Sequence, residues 1–178
     1  MTEREWHYAY QFPPNNIVDL TSDFGENVKM GHFCVIEDGV TVGDNVEIGN
    51  YVLLKKGTVI GDNCFIDSYA RSSGDNVIGN NVTIRFGATI ARNVEIQDDV
   101  FISPNVMTIY KKYTGDESKK TLIKQGAFIG TAANIGPNVM VEEGVIVGAQ
   151  AFVSKDCKIK NAIYTGVPAE YKKMKKGY

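Results

Sequence analysis

The sequence predicts an all-β chain wound as a triangular solenoid. Three observations predict it. An aliphatic residue returns every sixth position, a turn-forming residue stands fourth in each six, and a small or β-branched residue stands fifth. Framed from Phe24, the chain reads FGENVK, MGHFCV, IEDGVT and onward through 14 hexads to Met107. It resumes at Ile123 as IKQGAF, IGTAAN, IGPNVM and runs through 7 hexads to Tyr164. Position one is Ile, Val, Leu, Met or Phe in 20 of the 21, so Ser72 is the exception. Position four is Gly, Asn or Asp in 15, the types that tolerate left-handed backbone angles. An α-helix cannot carry a strict period of six, and long strands would alternate without turns. Three short strands per coil, one per hexad, satisfy the pattern. Seven coils at strand spacing give a prism on the order of 33 Å tall, each coil burying its inward residues on its neighbours.

The elements follow in order. Residues 1–23, with Trp6, Tyr8, Tyr10, Phe12 and Pro13-Pro14, are an N-terminal arm that caps the open end of the first coil. Residues 24–164 are the solenoid, interrupted at 108–122 by an extruded loop. Cys34, Cys64 and Cys157 all fall at position five, which makes them buried small hydrophobes rather than nucleophiles or metal ligands. The hexad from Ser72 to Val77 places polar Ser72 and Asn76 inward, with Thr58 18 residues before Asn76. This is either an internal hydrogen-bonded step, with or without a trapped water, or a relaxed coil beside a substrate pocket.

With 178 residues the prior is one domain. Hydrophobic residues at 43% and charged residues at 22% describe a globular chain, not a disordered one. A net charge of −2 shows no nucleic-acid bias. No stretch is long and apolar enough to span a membrane, and the start lacks a basic-then-apolar signal, so the expected location is the cytoplasm. An odd count of three Cys without a close pair suits a reducing compartment. The two His, His7 and His32, exclude a three-His zinc site within one chain, and no metal is required. His32, in the first coil of the frame, lies four coils from the loop, roughly 19 Å along the axis. That distance makes it a surface His.

The [LIV]-G-x-x-x-x period resembles the hexapeptide-repeat acyltransferase superfamily, with its left-handed parallel β-helix, from residue 24 to about 170. The ending VSKDCKIKNAIYTGVPAEYKK is similar to that family's last coil, G-x-P-A turn and C-terminal helix, which implies a short helix over residues 165–178. The stretches IGNNVT, IQDDVFISPNVM and GAFIGTAANIGPNV resemble the branch that acetylates amino groups on nucleotide-linked sugars. At Phe86 and Arg92 the chain departs from that branch, which tends to show Asn or Asp. The resemblance implies a homotrimer with acetyl-CoA in the groove between neighbouring prisms. It implies an acyl-CoA-dependent acyltransferase acting on an amine of a nucleotide-linked or cell-surface sugar. The alternatives are O-acetylation of a sugar or small-molecule hydroxyl, and a non-catalytic hexapeptide-repeat scaffold. A γ-class carbonic anhydrase of this fold is excluded by the His count.

Charge follows the resemblance. Residues 1–110 carry 7 Lys+Arg against 15 Asp+Glu, and residues 111–178 carry 12 against 6. The family places the CoA phosphates toward the basic end, where Lys155 occupies the V-x-K-D position and Lys172 belongs to the tail cluster. Each lysine is either a phosphate partner or a solvated surface charge. Thr131, Ala132, Ala133, Gly148 and Ala149 leave little side chain at turns where the family's backbone meets the pantetheine arm; small residues also simply suit tight coils. Many O-acetylating members carry a loop His, and TIYKKYTGDESKK has none. An amine needs only to shed its extra proton, so the missing base tilts the acceptor toward an amine. Tyr110 and Asp116 are the polar loop residues that would assist, or else ordinary exposed residues. Arg71, Arg85 and Arg92, in a Lys-poor acidic half, suit a phosphate or carboxylate on the acceptor, or ordinary surface ion pairs.

Overall fold

The computed structural model describes residues 12–110 and 120–176. Twenty-four short strands among them stack into three sheets, parallel except for the last strand, which form faces A, B and C of a triangular prism. The first coil is β1 (Ile17–Val18), β2 (Asp23–Phe24) and β3 (Lys29–Met30). The second is β4 (Val35–Ile36), β5 (Thr41–Val42) and β6 (Glu47–Ile48), and the third β7 (Leu53–Leu54), β8 (Val59–Ile60) and β9 (Phe65–Ile66). The fourth is β10 (Arg71–Ser72), β11 (Val77–Ile78) and β12 (Thr83–Ile84), and the fifth β13 (Thr89–Ile90), β14 (Val94–Ile96) and β15 (Phe101–Ile102). The sixth is β16 (Met107–Thr108), β17 (Thr121–Ile123) and β18 (Phe128–Ile129). The seventh is β19 (Asn134–Ile135), β20 (Met140–Val141) and β21 (Ile146–Val147). The eighth is β22 (Phe152–Val153), a single bridge at Cys157, and β23 (Ala162–Thr165), with β24 (Glu170–Met174) folded back on it.

In the two-residue strands the second residue is position one of the hexad and points inward. Ile36, Ile48, Ile66, Ile90, Ile102 and Ile129 are at most 2% exposed. Burial of such side chains stabilises by roughly 1.5–3 kcal/mol each. The position-five residues fill the corners, Val40, Val82, Ala88 and Ala133 at 0% exposure. The three cysteines belong to that set. Desolvation pushes the Cys64 thiol up to about 11 and the Cys157 thiol up to about 12. They are inert at neutral pH.

Four departures from the sequence expectation have local causes. The solenoid begins at Ile17 rather than Phe24, taking in residues 17–23 that the repeat frame left to the arm. The hexad VDLTSD hides its turn: Asp19 Oδ1 accepts from Thr21 N at 2.9 Å and Thr21 Oγ1 at 2.6 Å in place of a glycine or asparagine. Of the arm itself, Phe12 is buried and packs its ring 5.0 Å from that of Phe24.

The loop is shorter than the broken frame implies. Partners are offset by 18 residues at Ile84↔Ile102 and by 27 at Ile102↔Ile129. Nine residues are therefore extruded, and Thr108 keeps an inward place in β16. Its Oγ1 accepts from Ala91 N at 2.6 Å, and Thr121 Oγ1 accepts from Asn138 N at 3.0 Å. One buried threonine at each loop base thus satisfies a backbone donor of the adjoining coil.

The eighth coil tightens to an offset of 17 at Val147↔Tyr164. Tyr164 turns inward at 7% exposure, and Ile159, which the frame pointed inward, is 43% exposed.

The C-terminal helix is absent among the described residues. After the Gly166 turn, β24 pairs antiparallel with β23. AEYKKMKK is rich in helix formers, but so short a helix is marginal in water. The open edge of β23 supplies backbone partners instead.

The Ser72 coil is an internal polar step. Thr58 Oγ1 and Ser72 Oγ lie 2.6 Å apart, Asn76 Nδ2 donates to Ser72 Oγ at 2.8 Å, and Val94 N donates to Asn76 Oδ1 at 2.8 Å. Ser72, rather than a direct Thr58–Asn76 contact, closes the network.

Candidate functional site on the C–A edge

Each coil turns three times, and position four takes the left-handed conformation at nearly every turn. From Phe24 onward the left-handed residue on the A–B edge is Gly39, Gly57, Asp75, Asn93 or Asn138. On the B–C edge it is Asn27, Asn45, Asn63, Asn81, Asp99, Gly126, Gly144 or Asn161. The C–A edge breaks that rule. There Phe33 (φ 60°), Tyr51 (58°), Tyr69 (63°), Ala132 (56°) and Gln150 (58°) hold left-handed angles. A side chain larger than glycine pays roughly 1–2 kcal/mol for that conformation. Strain of this kind concentrates at binding and active sites. The signal was present in the sequence, since the exceptions recur at spacing 18: 33, 51 and 69, then 132 and 150.

The edge has two halves. In the first to fifth coils it carries a row of half-exposed rings. Phe33 and Tyr51 stack at 5.1 Å and 12°, and Tyr51 and Tyr69 at 4.9 Å and 14°. Phe86 meets Tyr69 edge-on at 5.3 Å and 60°. Toward the eighth coil the side chains shrink to Thr131-Ala132 and Gly148-Ala149, with Thr131 and Ala149 exposed. Glycine is required here by close approach. A Cβ on Gly130 would stand 2.6 Å from Ala149 N and 2.7 Å from Val147 O.

The predicted residues divide among the edges. Thr131, Ala132, Gly148 and Ala149 share the C–A edge. Ala133 does not face it: its side chain is fully buried and its amide donates to Gly130 O at 3.1 Å. Lys155 is exposed on the A–B edge of the eighth coil, across face A from Ala149, and Lys172 is exposed on β24. Arg71 points outward on face A beside Tyr69. Arg85 opens the next C–A turn, its Nε 3.3 Å from Asp67 Oδ2 and its guanidinium 5.6 Å over the Phe65 ring. Arg92 stands apart on the A–B edge, 3.6 Å from Asp75. Tyr110 is 42% exposed where the loop departs, and Asp116 lies outside the described residues. His32 is exposed in the first C–A turn with Nδ1 3.2 Å from Asn15 Oδ1. It sits just over four coils below the loop, roughly 20 Å away. The aromatic row is what sequence reasoning missed.

The B–C edge is ionic near its upper end. Lys124 Nζ lies 2.5 Å from Glu142 Oε1, and Lys160 Nζ lies 2.7 Å from Glu143 Oε2. The Lys124 bond holds the buried Glu142 carboxyl below its ordinary value of 4.5. No group of three metal-ligating side chains occurs among the described residues, and none of their helices is long and apolar enough to cross a membrane.

The stacked coils and the left-handed turns together define a hexapeptide-repeat protein with a left-handed parallel β-helix. A family model described as the GMPPB C-terminal domain matches residues 12–119, and the chain belongs to that family. No curated protein matches it. Among solved structures, one similar protein is a mutant of AntD, an N-acyltransferase from Bacillus cereus, in complex with dTDP and coenzyme A. It is 21% identical, with 99% of this chain and 91% of that one covered and a TM-score of 0.51. LpxA, a UDP-N-acetylglucosamine acyltransferase from Bacteroides fragilis, is 21% identical over 90% of this chain and 73% of that one, TM-score 0.63. The acetyltransferase domain of PglB from Neisseria gonorrhoeae is 18% identical over 95% and 62%, TM-score 0.51. These structural neighbours are acyltransferases, and at such identities the likeness establishes the fold.

Proposed function

We propose that this protein is an acyl-CoA-dependent acyltransferase that moves an acetyl group from acetyl-CoA to an amine on a nucleotide-linked sugar. The observation that carries the reading is the C–A edge. On a fold shared with acyltransferases, one edge alone abandons the turn rule, and its upper half carries the small residues Thr131, Ala132, Gly148 and Ala149, with Gln150 the longer side chain beside them. A long, thin pantetheine arm lies against such a strip with backbone amides in reach. Lys172 and the tail lysines, with Lys155 of this or a neighbouring subunit, neutralise the CoA phosphates. A homotrimer about a parallel axis supplies the second wall of the groove. The expected location is the cytoplasm.

The chemistry asks little of the protein. The acceptor amine, once deprotonated, attacks the thioester carbonyl, the oxyanion collapses, and the CoA thiolate leaves with the proton that the amine sheds. No loop His is needed for that sequence. Tyr110 and Asp116, both in the loop sequence, are the candidates to take the proton, and Arg71, Arg85 and Arg92 are the candidates for the acceptor's anionic groups.

The test is consumption of acetyl-CoA thioester with paired amino- and hydroxyl-bearing sugar nucleotides. Turnover that depends on the amino sugar is expected. Turnover with hydroxyl acceptors alone overturns the amine assignment, and failure to bind CoA overturns the enzyme.

A further inference from the structure

The charge of the solenoid is divided along its length. The first three coils, residues 17–66, carry 8 Asp+Glu against 3 Lys. The eighth coil and β24, residues 152–176, carry 7 Lys against 2 acids, Asp156 and Glu170. Asp156 is engaged, its Oδ1 accepting from Met140 N at 2.9 Å. All seven lysines are exposed, and of them only Lys160, on Glu143, has an ion-pair partner among the described residues. An acyl donor on the C–A edge uses a subset of the seven. Lys158 stands on the B–C edge, and Lys173 points outward on face C, in register with Ile163.

The same end holds apolar side chains in water. Val167 is 73% exposed, Met174 49%, Tyr171 46% and Ile159 43%. Met174 pairs with Ala162 and Tyr171 with Tyr164, whose side chains are buried in the core. Paired residues share a side of the sheet, so Met174 and Tyr171 lean over the end of the core rather than along a face. The Tyr171 ring meets that of Tyr164 edge-on at 6.1 Å. Val167 tips the C–A turn of the eighth coil, and Ile159 tips its B–C turn.

Two features say what this end meets. Its cations are all Lys, whereas the four Arg of the chain lie before residue 93. Lysine is a flexible point charge that follows a fluid array of anions, while the fixed fork of arginine suits one phosphate or carboxylate. Apolar tips set among lysines enter the boundary between headgroups and acyl chains while the charges stay at the water side. A second copy does not fit edge to edge, because the lysines of β24 would face one another. The acidic coils do not oppose the contact. The second coil lies six coils away, roughly 29 Å, beyond three screening lengths of about 8 Å. The division instead turns the prism basic end first toward a negative surface.

We infer that the basic end of the solenoid binds an anionic lipid surface, with Val167, Met174, Tyr171 and Ile159 entering the interface and the prism standing end-on. In the proposed homotrimer about a parallel axis, three such ends lie in one plane, which multiplies the attachment. That multiplication rests on the acyltransferase reading; the surface of the single chain does not.

Sedimentation of the full chain with phosphatidylcholine vesicles, with and without phosphatidylglycerol, tests it. The variants are Lys158→Gln with Lys173→Gln, Val167→Ser, and Lys29→Gln at the opposite end, all at exposed positions. The wild type should bind the anionic vesicles alone, and salt should weaken that binding. The lysine pair should weaken it about tenfold or more. Val167→Ser should weaken it severalfold and leave the salt dependence unchanged, and Lys29→Gln should bind as the wild type does. The inference is overturned if anionic vesicles are not bound, if both kinds of vesicle bind equally, if the lysine pair binds as the wild type does, or if Lys29→Gln weakens binding as much as the pair. Absent vesicle binding together with a mass that grows with protein concentration, and that the lysine pair stops growing, would place the basic end on the acidic coils of another copy. CoA titrated alongside separates the two readings. CoA binding without vesicle binding removes this inference alone, and vesicle binding without CoA binding removes the acyltransferase alone.

Discussion

On two edges of the prism the left-handed turn residue from Asn27 onward is asparagine, aspartate or glycine. On the third it is phenylalanine, tyrosine, alanine or glutamine at five of seven turns, Gly87 and Asn105 being the other two. The three edges close the same coils and share the same ladder, so coil geometry does not explain the difference. The third residue of the hexads builds the same ladder on both kinds of edge. On the B–C edge Asp44, Asp62, Asn80 and Asp98 each accept from the backbone one coil below at 2.7–2.8 Å. On the C–A edge Asn50 Oδ1 accepts from His32 N at 2.8 Å and Ser68 Oγ from Asn50 N at 3.0 Å, so what sets that edge apart is the backbone strain at position four, held by rings below and by Ala132 and Gln150 above. On the proposed reading, the edge that serves a ligand departs from the turn rule, and the edges that serve only the fold keep it.

The largest effect expected is at the upper half of the C–A edge. Gly130→Val drives a side chain into Ala149 N and Val147 O and should cost about 3 kcal/mol or more, read as a lowered denaturant midpoint. Thr108→Val should come next. It keeps the shape and strands the buried Ala91 amide, for about 1–3 kcal/mol; an unchanged midpoint would mean that the loop base is not held by that hydroxyl.

A swap between edges follows. Asn63→Tyr puts a ring into a left-handed turn with asparagines above and below, so the conformational cost of roughly 1–2 kcal/mol is not offset. Tyr51→Asn relieves a cost of that size and loses stacking of similar size, so its stability should stay near that of the wild type. Equal destabilisation by both changes would erase the distinction between the edges.

The smallest effect is ionic and belongs to the B–C edge. Glu142 is depressed below 4.5 by its hydrogen bond from Lys124. Its contribution is therefore fully present above 4.5 and is lost as pH falls through the depressed folded value. Lys124→Met should flatten the acid limb of the stability curve relative to the wild type.

Much of this architecture is legible in sequence because a hexad with one large and one small inward residue has few other solutions. What escaped has specific causes. VDLTSD makes its turn with side chains, Thr108 does a backbone partner's work from an aliphatic position, and the tail AEYKKMKK follows a sheet edge over its own propensity. The site was only half legible. Small residues at 131–149 stand out in any reading of the hexads, but sorting them by edge needs the count taken modulo 18. That count separates Lys155 from Ala149 and gathers the aromatic row, whereas the hexad alone already turns Ala133 inward.

The account turns on the C–A edge being the ligand edge. The direct measurement is calorimetric titration of CoA into the wild type, Ala149→Trp and Gln125→Trp, the last two placing the same bulk on exposed turns of the C–A and B–C edges. CoA should bind the wild type and Gln125→Trp alike and lose its binding to Ala149→Trp. Equal binding by all three, or loss in Gln125→Trp alone, would contradict it.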